Sequence, residues 1–191
     1  FRVELDKLFD MEQVLTLINT KIETLEGVKG CHVSLVRYQD NQLILRARSN
    51  SHYIHADLEQ EDLYNTIVRP YELRILASDT PQMTVLSEQP GIAQVFSPQI
   101  VYLLYIPILT HNTKLGLIGV GSDKDTILTK DAQQFLLGLA GLLANTIERI
   151  RLFAALRDIS SASAGMLQLD SALNRELFRL TDEHHGEYAS I

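Results

Sequence analysis

The sequence predicts an α/β domain of the α+β type. A central antiparallel sheet carries its N- and C-terminal helices on one face, and an irregular segment forms a pocket on the other. Three observations carry this. Apolar residues recur every three or four positions near both ends of the chain, the helical period. Two pairs of short apolar runs are each joined by a polar turn, the pattern of antiparallel hairpins. The second pair is apolar almost throughout, so both faces of its strands need covering.

The first helix runs from about Glu4 to Leu25, with Leu5, Leu8, Phe9, Val14, Leu15, Ile18, Ile22 and Leu25 in phase. Asp10 interrupts it as the cap of a new start, and Gly27 and Gly30 end it. His32–Tyr38 and Gln42–Arg48 form the first hairpin about Asp40-Asn41. The stretch 50–97 is irregular, with a helix expected over Leu58–Val68, another opening at Pro70 and ending near Ala77, and a short strand over Met83–Leu86. Val101–Leu109 and Lys114–Ser122 form the second hairpin, whose glycines 116, 119 and 121 call for a close neighbour. A long helix from about Thr129 to Leu156 closes the domain. Phe135, Leu139 and Leu142 are expected to cover the sheet, and Gly138 and Gly141 to permit tight packing.

Composition narrows the function. The 191 residues include 46% hydrophobic and 21% charged ones and carry a net charge of −7. No basic run is present, which argues against nucleic acid and anionic membrane as partners. The single cysteine, Cys31, allows no internal disulfide and points to a reducing, cytoplasmic setting. Apolar runs such as Tyr102–Leu109 are too short for membrane insertion. The chain opens on Phe1 rather than Met, as expected of an internal piece of a longer protein. Ser160-Ser161 and Ser163 lie in a small-residue stretch with no nucleophile–base pairing arranged beside them, and no paired acids, phosphate loop or dinucleotide fingerprint is present. An enzyme is therefore not expected.

The order of elements resembles the GAF family of sensory domains, and the second half carries the specific match. Ile106-Pro107-Ile108 ends a strand, a turn follows, and Leu115-Gly116-Leu117-Ile118-Gly119-Val120 forms a glycine-rich strand. Thr129 and Asp131 then open the long helix. The resemblance implies a non-catalytic regulatory domain, binding a small ligand or setting dimer geometry to control a covalently linked output domain. A purely structural dimerisation module is the alternative. The domain is assigned to residues 1–157. Residues 158–191 are read as a linker followed either by the start of a second, similar domain, because Leu169–Leu173 echoes Met11–Leu15, or by an ordinary amphipathic tail helix.

Candidate sites follow. Ser34, Tyr71, Phe96 and Tyr102 are assigned to the pocket lining. Leu143, Ile147, Ile150 and Phe153 continue beyond the domain edge at spacings near those of a coiled coil, and are assigned to a homodimer seam that the first helix joins. Cys31-His32 lies at a strand start, away from the loop or helix where pigment-binding GAF domains hold such a pair, so no pigment is expected. His52, His55 and Asp57 are too loosely spaced for a metal, and His184-His185 stands alone. The Asn-Lys, Phe and Asp-Glu signature of cyclic-nucleotide binders is incomplete, and one cysteine is too few for sulfoxide reduction. No cofactor and no metal are expected.

Overall fold

A computed structural model describes residues 10–37, 39–49, 53–54, 64–111, 113–123 and 128–187, the stretch 161–187 as backbone only. The first helix, α1, spans Met11–Glu23. Asp10 is its cap: its Oδ1 accepts the Glu12 amide at 3.0 Å, meeting one of the donors a helix start leaves unpaired. Val14, Leu15, Ile18 and Ile22 form its buried stripe. Strand β1, Val28–Val36, and β2, Leu43–Arg48, make the first hairpin, with Asn41 left-handed in the turn at φ 55°. Strand β3 is Gln82–Val85, β4 is Tyr102–Leu109 and β5 is Lys114–Ser122. They form one antiparallel sheet in the order β2-β1-β5-β4-β3. The two edge strands come from the less apolar parts of the chain, and β1, β5 and β4 are buried between them.

Alternation along β1 sorts the two faces. Cys31, Val33 and Leu35 point to the face that carries α1 and the first turns of the last helix, where the Cys31 thiol meets Asn19 Oδ1 of α1 at 3.5 Å. His32 and Ser34 point to the other face. There a π-helical turn, Tyr64–Val68, helix α2, Arg69–Ser78, and the short α3, Pro90–Ala93, cover the sheet together with Tyr53, Ile54 and Phe96. Pro70 stands in the first turn of α2, where its missing N–H costs nothing.

The last helix, α4, runs over Lys130–Glu187. Its buried apolar positions are Leu136, Leu139, Ala140, Leu143, Ala144 and Ile147. The phase therefore differs from the sequence expectation. Phe135 is 45% exposed, whereas Leu143 and Ile147, assigned to an intermolecular seam, are buried within the chain. Ala140 and Ala144 lie in the same buried stripe. Nothing lies within 4 Å of a Cβ built on Gly138 or Gly141, so neither glycine marks a tight contact. The helix also continues through Arg157-Asp158, where a linker is expected. The chain divides into two compact units, Phe1–Glu148 and Arg149–Ile191.

Burial pushes the Cys31 thiol from 9.0 up to about 12, with the Ser49 hydroxyl opposing the shift and Glu23 adding to it. The folded state thus holds a proton that the unfolded chain releases first. The associated stabilisation is whole below the unfolded value of 9.0 and is lost as the pH rises toward about 12. A thiol reagent at about pH 8 is expected to spare the native protein and to label it fully once denatured. Native labelling at the rate of an exposed thiol would contradict this burial.

Candidate functional site

The face of the sheet under α2 carries a continuous hydrogen-bonded network of buried side chains. His32 of β1 and Glu72 of α2 meet at its centre, Nε2 to Oε1 at 2.6 Å, both with wholly inaccessible side chains. Tyr64 presents its hydroxyl to the same carboxylate, 2.9 and 3.0 Å from the two oxygens. Ser34 Oγ lies 2.9 Å from that hydroxyl, and Tyr53 Oη lies 3.0 Å from His32 Nδ1.

One proton arrangement satisfies every member. Tyr53 donates to Nδ1, Nε2–H donates to Glu72, Tyr64 donates to Glu72, and Ser34 donates to the Tyr64 oxygen. Burial, reinforced by the nearby Glu72 carboxylate, holds the hydroxyls of Tyr53, Tyr64 and Tyr105 well above the ordinary tyrosine range, so all three keep their protons. Tyr105 Oη is buried and makes no hydrogen bond among the described residues. The imidazole is walled by the rings of Tyr53, Tyr64, Phe96 and Tyr105, with centroids 5.7 to 6.1 Å away.

Gly119 is the remaining wall. It pairs with His32 across β1 and β5, and a Cβ at this position would overlap the imidazole. The close neighbour that the glycine-rich strand called for is thus a histidine side chain.

Of the four residues assigned to the pocket, Ser34 belongs to the network and Phe96 packs on Tyr53 and His32. Tyr71 stands beside them, its ring 5.9 Å from that of Tyr105 and its hydroxyl 2.7 Å from Thr84 Oγ1. Tyr102 is not brought to this site. It alternates with Leu103 and Tyr105, and so shares the opposite face with Leu104 and Ile106. His32, Glu72, Tyr53 and Tyr64 were missed by sequence reasoning. The available signal was in β1, where two polar residues, His32 and Ser34, alternate within an otherwise apolar run. Of the seam residues, Leu143 and Ile147 are buried, Ile150 is half-buried and Phe153 is exposed. His52, His55 and Asp57 lie outside the described residues, as do the side chains of His184 and His185. Among the described residues no three metal-ligating side chains cluster, and no helix is long and apolar enough to cross a membrane.

No protein-family model and no curated protein matches the sequence. Solved structures do match the fold. The GAF domain of a two-component sensor histidine kinase from Bacillus halodurans superposes with a TM-score of 0.58 at 16% identity, covering 77% of this chain and 99% of that one. The cyanobacteriochrome TePixJ GAF domain gives 0.62 at 12% identity, covering 78% and 95%. The GAF domain of an Acinetobacter phosphoenolpyruvate-protein phosphotransferase gives 0.58 at 15% identity, covering 79% and 90%. The chain has the GAF-domain fold.

Two substitutions test the network. Glu72→Ala leaves His32 and Tyr64 without their shared acceptor and is expected to cost about 3–5 kcal/mol in chemical denaturation. Glu72→Gln keeps an acceptor for Nε2–H and is expected to cost clearly less. Gly119→Ala forces the pinned imidazole aside, at about 1–3 kcal/mol. Wild-type midpoints for Glu72→Ala and Gly119→Ala would contradict the arrangement.

Proposed function

We propose that this chain is a sensory, regulatory domain of a cytoplasmic signalling protein, without catalytic activity of its own. One observation carries the reading. The segment covering the sheet is fastened to β1 by a few buried polar contacts, through Glu72, Tyr64 and Tyr53, and not by apolar packing alone. Such contacts are all-or-none in a low-dielectric interior, so the segment has the character of a two-state element. A small polar ligand that engages the Tyr105 hydroxyl, or competes for Glu72, would bias its position. Ser34, Tyr71 and Phe96 lie within or beside this site and remain its assigned lining.

Output is proposed to pass through a homodimer built on α4, toward a linked output domain. Leu152, Phe153, Leu156 and Ile159 are 62, 51, 50 and 63% exposed. Leu152, Leu156 and Ile159 follow at spacings of four and three, those of a coiled-coil seam. The helix is unbroken to Glu187, so its own tail does not fold back over this stripe. A second copy of the chain is proposed to cover Leu152, Leu156 and Ile159, which stay exposed. The seam thus lies beyond Leu143 and Ile147 and retains Phe153 from the expected set.

A purely structural dimerisation module is the second reading. It is favoured by the filled interior at His32, where Tyr53, Phe96 and Tyr105 are all inaccessible. Thermal shift against a metabolite panel separates the two, since a ligand that binds only the folded state raises the midpoint. A hit abolished by Tyr105→Phe supports the sensor, and no hit across the panel favours the structural module. For the dimer, light scattering of the Leu152→Glu/Leu156→Glu variant is expected to give a folded monomer. A variant that stays dimeric contradicts the proposed seam.

A further inference from the structure

A second site lies on the other side of the sheet from the His32 network. A cleft of about 560 Å³ opens between α1 and the edge strand β2. That volume falls within the roughly 300–1,000 Å³ usual for small-molecule sites. Its walls carry opposite charge. Glu12 and Glu23 stand on α1, and Arg46 and Arg48 stand on β2. All four are exposed, and none forms an ion pair or a side-chain hydrogen bond with a described residue. The charges face a common space without neutralising each other.

The floor is built from buried polar groups. Asn19 and Ser49 line the cleft and are 8% and 5% exposed. Beneath them sits Cys31. The Ser49 hydroxyl donates to its sulfur at 3.4 Å, and the thiol donates to Asn19 Oδ1 at 3.5 Å. The thiol's raised pKa keeps the proton on sulfur, so Cys31 stays a donor. That fixes the Asn19 amide with its oxygen inward. Its Nδ2 group, with two N–H donors, makes no hydrogen bond among the described residues. A nine-tenths buried amide thus offers donors at the foot of a cleft whose one wall is cationic and whose other wall is anionic.

We propose that this cleft binds a small zwitterion, an α-amino acid or a short peptide. Its carboxylate would be seated by Asn19 Nδ2 together with Arg46 and Arg48, and its ammonium would be turned toward Glu12 and Glu23. Guanidinium forks and amide N–H groups suit a carboxylate. Two carboxylates suit an ammonium and disfavour a ligand that carries only negative charge. The occupant joins α1 to the edge of the sheet, so binding at this site tightens the attachment of a terminal helix.

The test is an NMR titration of the intact chain with each of the twenty L-amino acids and with glycylglycine, following the Asn19 side-chain NH₂ and the Arg46 and Arg48 Nε–H signals. At least one probe is expected to shift these signals saturably. Its N-acetyl and methyl-ester derivatives are expected to bind at least about tenfold more weakly, a difference of about 1.4 kcal/mol each. Arg46→Gln/Arg48→Gln should abolish the response. Glu12→Gln/Glu23→Gln should weaken the amino acid while sparing its N-acetyl derivative. Tyr105→Phe should leave the titration unchanged, which keeps this site distinct from the one under α2. The proposal is overturned by any of three results: no saturable shift with any probe, equal shifts from sodium acetate, or a response that survives loss of both arginines.

Discussion

The rest of the structure is arranged around one buried contact, His32 against Glu72. Placing a carboxylate in the interior costs several kcal/mol unless its lone pairs are met. Here His32 and Tyr64 donate to it, and Tyr53 and Ser34 satisfy the groups behind them. This requirement reaches into the sheet. The imidazole needs room over β5, which only a glycine at 119 provides. It also sets the course of the covering segment, since Glu72 must arrive over β1 on α2. A polar contact of this kind fixes one arrangement more sharply than apolar packing, because a displaced segment would leave several buried groups unpaired at once.

Much of the fold was legible in the sequence because its signals are local. The two hairpins follow from alternation and turn residues, the cap at Asp10 from its place before an apolar period, and the α2 start from Pro70. Ile106-Pro107-Ile108 and the glycine-rich strand fall in adjacent central strands, as their apolar character requires. The site was much less legible. His32 and Glu72 are forty residues apart and meet only once the sheet and its cover are assembled. A glutamate on a helix reads as a solvated surface group, and only the two polar positions of β1 hinted otherwise. The Tyr102 assignment failed on a parity of one residue, which in a strand exchanges the faces.

The phase of α4 shows where periodicity runs out. Phe135, Leu136, Leu139, Leu142, Leu143 and Ile147 surround most of the helix, so spacing alone allows more than one buried stripe. In the structure the buried apolar stripe is Leu136, Leu139, Ala140, Leu143, Ala144 and Ile147. Further along the same helix Leu152, Phe153, Leu156 and Ile159 stay exposed. The fold therefore presents a dense sheet domain with a polar fastening on one face, a charged cleft on the other, and an apolar helical stripe in its second unit.

The central claim is that the covering segment is held by its contact with His32 and can open separately from the sheet. Native-state hydrogen exchange of His32→Ala, read peptide by peptide against wild type, tests it most directly. The account predicts that amides of Tyr64–Val68 and α2 lose protection while those of β4 and β5 keep theirs. Protection lost equally across all these elements, or unchanged in α2, would contradict it.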